Sequence, residues 1–529
     1  ILAVGALAFG FLHGQQEDSR ALPSLLPPGA LLYLEAKDFR SLVNQWNSSA
    51  EKQKWLASAN FGVLSRSRLV QRLGEARDQF TTVAGIPIAY NLVEQVAGGR
   101  SAFALYDLPN LRFVYLTKFE SSRLNTNELW RSRTRYQSRE AAGIPFFVNS
   151  DPATDRAIAV ASYKDWLVIA SSEDRMAQTL ALLSGSQTGG LPGESWFSET
   201  AARSQEQGDL RLVYNLEALL PTPQFRTYWL QQNNSELKQF KSGIADLFER
   251  RDAFEEHRVL LRATPGNATG QASALSEILR YVPQPASLYR AWSLPNRNQL
   301  SDVLEQVVLA EQETGAGLDR TAPIVSTSVS EAGSASDFEM RIDQPPFHRT
   351  QNAAVAELVN AVTAMQPRAL LHVQSTVALT DGVFLLPESG AVLECAQPDR
   401  AALERALASM TDITQRGSLD PLHVAVSGNN IILSRVALSQ SAATTQIAPG
   451  TTYTAVFNKA YEWPHYKRLF GLLDHRPGGS NGGENIPTFF SGNLGSLGDT
   501  LARLNRVSIQ AQDGSAELRD TLRYELSTP

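Results

Sequence analysis

The sequence predicts an α+β protein of two homologous tandem repeats, built mainly of antiparallel sheets with packed amphipathic helices. The repeats stand behind the remnant of an N-terminal transmembrane helix. Three observations predict this. The run Leu26-Pro-Pro-Gly-Ala-Leu-Leu-Tyr33 returns as Val282-Pro-Gln-Pro-Ala-Ser-Leu-Tyr289. Strand-like stretches occur in pairs joined by short polar turns, which favours hairpins over a parallel sheet. An uncharged apolar run, ILAVGALAFGFL, opens the chain.

That opening run carries Ile1, Leu2, Val4, Leu7, Phe9, Phe11 and Leu12. As a helix it spans roughly 18 Å of an apolar layer about 30 Å thick, so it reads as the C-terminal part of an anchor continued upstream. An uncleaved signal-peptide remnant, with Ala6-Leu7-Ala8 as its processing site, is the alternative. Residues 1–21 are therefore assigned to anchor and linker, 22–273 to the first α+β repeat and 274–529 to the second. The flank after the run holds Glu17, Asp18 and one Arg20, a balance that suits the translocated side of a membrane. The predicted address is a single-pass protein of the cell membrane, its body on the periplasmic or extracellular side.

Composition supports a folded body. The chain is 43% hydrophobic and 19% charged, with net charge −6. Disorder over most of its length is excluded by the first figure. The absence of a basic stripe excludes a nucleic-acid binder. The single cysteine, Cys395, excludes a disulfide framework and a cysteine zinc cluster.

The repeat is traced by matches in the same order, roughly 240 to 280 residues apart. Each opening motif feeds a strand and then a helix, marked by Phe39, Leu42, Val43 and Trp46 in one copy and Val303, Leu304, Val307 and Val308 in the other. Val114-Tyr-Leu116 matches Ala391-Val-Leu393, each leading into a helix. Ser162-Tyr-Lys-Asp-Trp-Leu-Val168 matches Ser427-Gly-Asn-Asn-Ile-Ile-Leu433, both hairpins. Val213-Tyr-Asn215 matches Val456-Phe-Asn458, and HRVLLRA (257–263) is matched to NRVSIQA (505–511). A further amphipathic helix is predicted from Leu237, Phe240, Ile244, Leu247, Phe248 and Phe254, with Glu255-Glu256 on its solvated surface.

The opening motif and the segment DWLVIASSED (165–174) resemble a family of exported, membrane-anchored bacterial proteins of unknown function. Its repeated units begin with an LP-x-x-A-x-x-Y strand and carry a later strand followed by a helix that starts with Ser/Glu. The resemblance implies location and fold type, and it transfers no site residue.

The search for chemistry returns no catalytic, cofactor or metal motif, so no cofactor is expected. Gly492-Asn-Leu-Gly-Ser-Leu-Gly498 misplaces its glycines for a nucleophile elbow, and Ser496 reads as a residue of a loop entering a helix. GSQTGGLPG (185–193) and GGSNGG (478–483) lack the lysine and strand of a phosphate cradle and read as loops. Seven histidines form no metal-binding pair in sequence, although His372 and His423 lie in strand-like runs that can approach across a sheet. Cys395, in VLECA, reads as a buried inert thiol. One stretch is dense in aromatic and basic groups, YEWPHYKRLF (461–470), and Tyr461, Trp463, His465, Tyr466, Arg468 and Phe470 are its candidate partner-interface residues. A core helix with a surface loop is the alternative for this stretch.

Three functions fit. The first is a non-catalytic envelope protein, an accessory or scaffold subunit of a membrane complex. The second is a binding protein for a lipid or other apolar ligand between the two halves. The third is an enzyme with a carboxylate-based site, expected to show convergent, strongly perturbed titratable groups.

Overall fold

The computed structural model describes residues 20–223, 225, 237–266, 272–284, 286–309, 353–378, 385–409, 422–435, 438–441, 447–474, 492 and 495–527. The anchor residues Ile1 to Leu12 lie outside them. Among the described residues no helix is long and apolar enough to cross a membrane. The fold is mixed helix and antiparallel sheet, in two compact units.

The first unit joins the described residues up to Gln45 with Arg72–Leu219. Its strands are β1 (Leu32–Ala36), β2 (Ser101–Asp107), β3 (Arg112–Lys118), β4 (Gln137–Ala141), β5 (Ile144–Asp151), β6 (Arg156–Tyr163), β7 (Trp166–Ala170) and β8 (Leu210–Asn215). Their antiparallel pairing order is β8-β1-β2-β3-β7-β6-β5-β4. Every residue of β7 is buried, as expected of an apolar run in mid-sheet. The next helix, Glu173–Ser184, has strong end signals. Ser172 accepts a hydrogen bond from the Arg175 amide at its start, and Gly185 adopts φ 82° at its end. Its buried Met176, Leu180 and Leu183 share one face, at helical spacing.

The second unit joins Trp46–Gln71 with the described residues from Leu220 onward. It holds β9 (Phe240–Glu249), β10 (Ala253–Arg262), β11 (Leu288–Ser293), β12 (Pro367–Ala378), β13 (Leu385–Cys395), β14 (His423–Ser427), β15 (Asn430–Ser434), β16 (Tyr453–Phe457), β17 (Leu504–Asp513) and β18 (Glu517–Leu526). The order is β14-β15-β13-β12-β11-β16-β17-β18-β10-β9, again all antiparallel.

The two orders share a core, β8-β1-β2-β3-β7-β6 in the first unit and β16-β11-β12-β13-β15-β14 in the second. Tyr33 pairs with Val213 on one side and Ala104 on the other, and Tyr289 pairs with Val456 and Val373 in the same way. Helices follow β1 and β11 at Phe39–Ser48 and Arg297–Leu309, where the sequence places them. The hairpins β6–β7 and β14–β15 both turn through two residues. The first of the two takes a left-handed conformation in each, Lys164 at φ 54° and Gly428 at φ 58°. Glycine suits that conformation, whereas lysine is held there by the flanking strands.

One predicted helix is a hairpin instead. Residues 240–262 form β9 and β10, turning at 250–252. Phe240, Ile244 and Phe248 are four apart, a spacing that one helix face and one strand face share. Ser242 and Asp246, buried between them, complete the period of two that decides for the strand. Glu255 is thus a strand residue, ion-paired to Arg523 at 2.5 Å and Arg250 at 3.3 Å.

The match of HRVLLRA to NRVSIQA also shifts, because Arg258 lies in the second strand of its hairpin and Arg506 in the first of the other. All four strands are ten residues long, with β17 starting 264 residues after β9 (504 against 240) and β18 264 after β10 (517 against 253). β10 pairs with β18 symmetrically, Ala253 with Glu525 and Leu261 with Glu517, so a local dyad passes between His257 and Thr521.

Two apolar layers hold the second sheet. On one face Leu370, Leu393, Ile431 and Leu433 pack under Leu304, Val308, Leu358 and Val362 of the covering helices. On the other, Leu371, Val373 and Val392 pack against Leu275 and Ile278. The helix Arg297–Leu309 ends at a buried guanidinium. Arg435 donates to the carbonyls of Val307 (3.2 Å) and Val308 (2.9 Å), and burial lowers its pKa. It satisfies end carbonyls that otherwise face apolar surroundings. Arg435→Met should therefore lower unfolding free energy by about 2 kcal/mol. Urea melts at neutral pH would show it, and an unchanged midpoint would deny the capping role.

Candidate docking surface

The six candidate interface residues all fall on the helix Lys459–Asp474. They divide between two environments. Trp463 faces the short helix Ser496–Thr500, where a Cβ on Gly498 would lie 1.8 Å from the indole ring. The Lys459 ammonium sits 5.4 Å from the centre of that indole. Phe470 approaches Trp463 at 6.0 Å and Tyr466 at 6.1 Å, and Tyr461 lies tilted against His465 at 5.8 Å. Tyr461, Tyr466 and Arg468 are exposed, and Trp463, His465 and Phe470 are half-buried. One helix thus combines an inward contact at Trp463 with exposed tyrosines at 461 and 466. The glycine-rich segment that follows, 478–483, lies outside the described residues.

Gly498 permits the close approach. Gly498→Ala should cost about 1–3 kcal/mol, because an indole ring held among neighbours cannot retreat as a flexible side chain can. A thermal melt checks it, and an undiminished melting temperature would mean that the ring moves freely.

Two further helices complete this region, and composition and periodicity give no sign of them. Helix Ala50–Ala57 is capped by Ser49, which accepts from the Lys52 amide, and helix Ala59–Ser65 by Ser58, which accepts from the Phe61 amide. The Asn60 amide donates to Ser496 Oγ at 3.3 Å, so Ser496 has a structural partner. Glu51 lies 3.8 Å from Arg503, and Lys467 pairs with Asp499 at 2.7 Å. These contacts tie the helices of residues 50–65 and the helix 459–474 each to the segment 496–503.

Large apolar side chains are exposed on this cap. Leu56, Val63, Leu64, Tyr461, Tyr466, Leu497 and Leu501 are between 37% and 50% exposed. They make up seven of the fifteen exposed large hydrophobic residues among those described, so the exposure is concentrated rather than scattered. Trp46, at the start of this segment, is exposed too. Lys54, Arg66 and Arg468 are exposed on the same segments, in a chain whose net charge is −6.

Buried titratable groups elsewhere include His372, Cys395 and Glu35. His372 is 1% exposed, its Nδ1 3.0 Å from an Arg290 guanidinium nitrogen. Burial first, and then Arg290, lower its pKa to about 3, so the ring is neutral and Nδ1 accepts. His423 does not approach it. β13 and β15 intervene, three strand spacings or about 14 Å. No group of three His, Cys, Asp or Glu among the described residues can hold a metal ion. Cys395 is buried and its thiol is pushed up to about 12, by burial and then by Glu394, which keeps it protonated. In the first unit the buried Glu35 takes a hydrogen bond from Tyr33 at 2.5 Å and pairs with Arg100 at 3.2 Å.

No protein family and no curated protein matches the chain. Among solved structures, crystal forms of TP0453 are similar to about half of it. Form I has a TM-score of 0.25 at 16% identity, covering 51% of this chain and 88% of that one. Form III has a TM-score of 0.25 at 13% identity, covering 51% and 90%. A likeness this slight bears on neither fold nor function.

Proposed function

We propose that this is a non-catalytic, membrane-tethered envelope protein, an accessory or scaffold subunit whose body faces the periplasm or the cell exterior. The apolar cap carries the reading, because a cluster of exposed Leu, Val and Tyr side chains calls for burial against something outside the chain. The body is read as a tandem duplication, repeats 22–273 and 274–529. The shared pairing order, the equivalent partners of Tyr33 and Tyr289 and the 264-residue offset of the ten-residue hairpins support that. The dyad between β10 and β18 is what two copies of one unit would make. Residues 1–12 supply the tether.

Gentle detergent extraction of native membranes tests the role. The chain should migrate on native electrophoresis well above its own 57.9 kDa, and protease added from the periplasmic side should digest its body. Migration at monomer mass, or a body protected from that side, would overturn the proposal.

A further inference from the structure

The cap's chemistry also names what covers it. We propose that the surface made by Leu56, Val63, Leu64, Tyr466, Leu497 and Leu501 rests in the headgroup layer of an anionic lipid bilayer. This rests on the membrane-tethered reading and adds a second point of contact to it. The helices are short, between five and sixteen residues. They can therefore lie on a bilayer and cannot cross it. Their exposed groups are the kinds that favour the interface: aliphatic tips, tyrosines with an apolar body and a polar end, and long basic side chains. Charge decides between a lipid surface and a protein groove. Lys54, Arg66 and Arg468 are exposed on the segments that carry the apolar residues, while Glu51 and Asp499 are engaged by Arg503 and Lys467 and Glu462 is buried. A chain of net charge −6 thereby turns a locally basic, apolar face outward, which matches an anionic leaflet.

The buried Cys395 makes the test clean, since a cysteine introduced on the surface is the one that takes a label. The full chain with its N-terminal segment carries Leu64→Cys or Leu501→Cys, and Leu294→Cys or Val424→Cys as exposed controls. Each is labelled with an environment-sensitive fluorophore and reconstituted into phosphatidylglycerol or phosphatidylcholine vesicles. Labels at 64 and 501 should shift to shorter wavelength and escape aqueous quencher in phosphatidylglycerol vesicles. They should lose that shift in phosphatidylcholine or with Lys54→Glu/Arg468→Glu, while the controls stay unshifted. Flotation with the vesicles but no shift at 64 and 501 overturns the lipid contact and leaves the tether standing. A shift that appears only when membrane proteins are added overturns it in favour of a protein partner. Failure to float overturns the tether as well.

Discussion

Arg100→Met should lower the unfolding free energy by about 3–5 kcal/mol, the largest effect expected of any single change proposed. Glu35 is 4% exposed, and its carboxylate has the Arg100 guanidinium as counter-charge at 3.2 Å. Removing that cation leaves the acid, among β1, β2 and β8, with the Tyr33 hydroxyl bond and with Arg211, its register partner on β8, as the cation still near it. Burial and the nearby Glu35 both raise the Tyr33 pKa, so the phenol keeps its proton and remains a donor. Arg100 itself is about one-third exposed, which places the loss toward the low end of that range. The double variant Glu35→Gln/Arg100→Met should recover most of it, because an amide needs no counter-charge. Equal loss in the single and double variants, read by urea melts, would mean that Arg100 acts through packing alone.

Acid should destabilise the second unit through His372. Its folded pKa, about 3, is depressed below the unfolded value near 6.5. A histidine depressed in the fold binds its proton more readily in the unfolded chain. Its neutral form is therefore favourable to folding above pH 6.5, and stability falls as pH drops from 6.5 toward 3. Two units below 6.5 the loss is at most about 2.7 kcal/mol. His372→Gln preserves an acceptor for Arg290 and has no proton to take up. The wild-type chain should therefore lose more stability than the variant between pH 7 and 4.5, with the gap approaching that figure. Parallel curves would show that the imidazole is not a titrating group in the transition.

Much of this was legible in the sequence, and the misses have definite causes. The opening motifs around Tyr33 and Tyr289 announce their strands because a proline turn precedes an apolar run and a helix follows. The hairpins at Lys164-Asp165 and Gly428-Asn429 are local, set by two polar residues between apolar stretches. The hairpin 240–262 was misread because its large residues, four apart, satisfy two periods at once. Only the burial of Ser242 and Asp246, a tertiary matter, separates them. The six aromatic and basic residues on 459–474 were legible as a dense stretch. Their surroundings were not, since the segment 50–65 lies some 400 residues earlier and is joined to them through the contacts that each makes with the helix Ser496–Thr500.

If the cap is the face turned toward a membrane, as proposed, photo-crosslinking in native membranes will register it. A benzophenone side chain is placed at Tyr466 or Leu501, and at Leu294 or Val424 as exposed controls in the same unit. Positions 466 and 501 should give adducts to lipid, and positions 294 and 424 none. Equal labelling at all four positions, or none at 466 and 501 in chains that fractionate with the membrane, would contradict it.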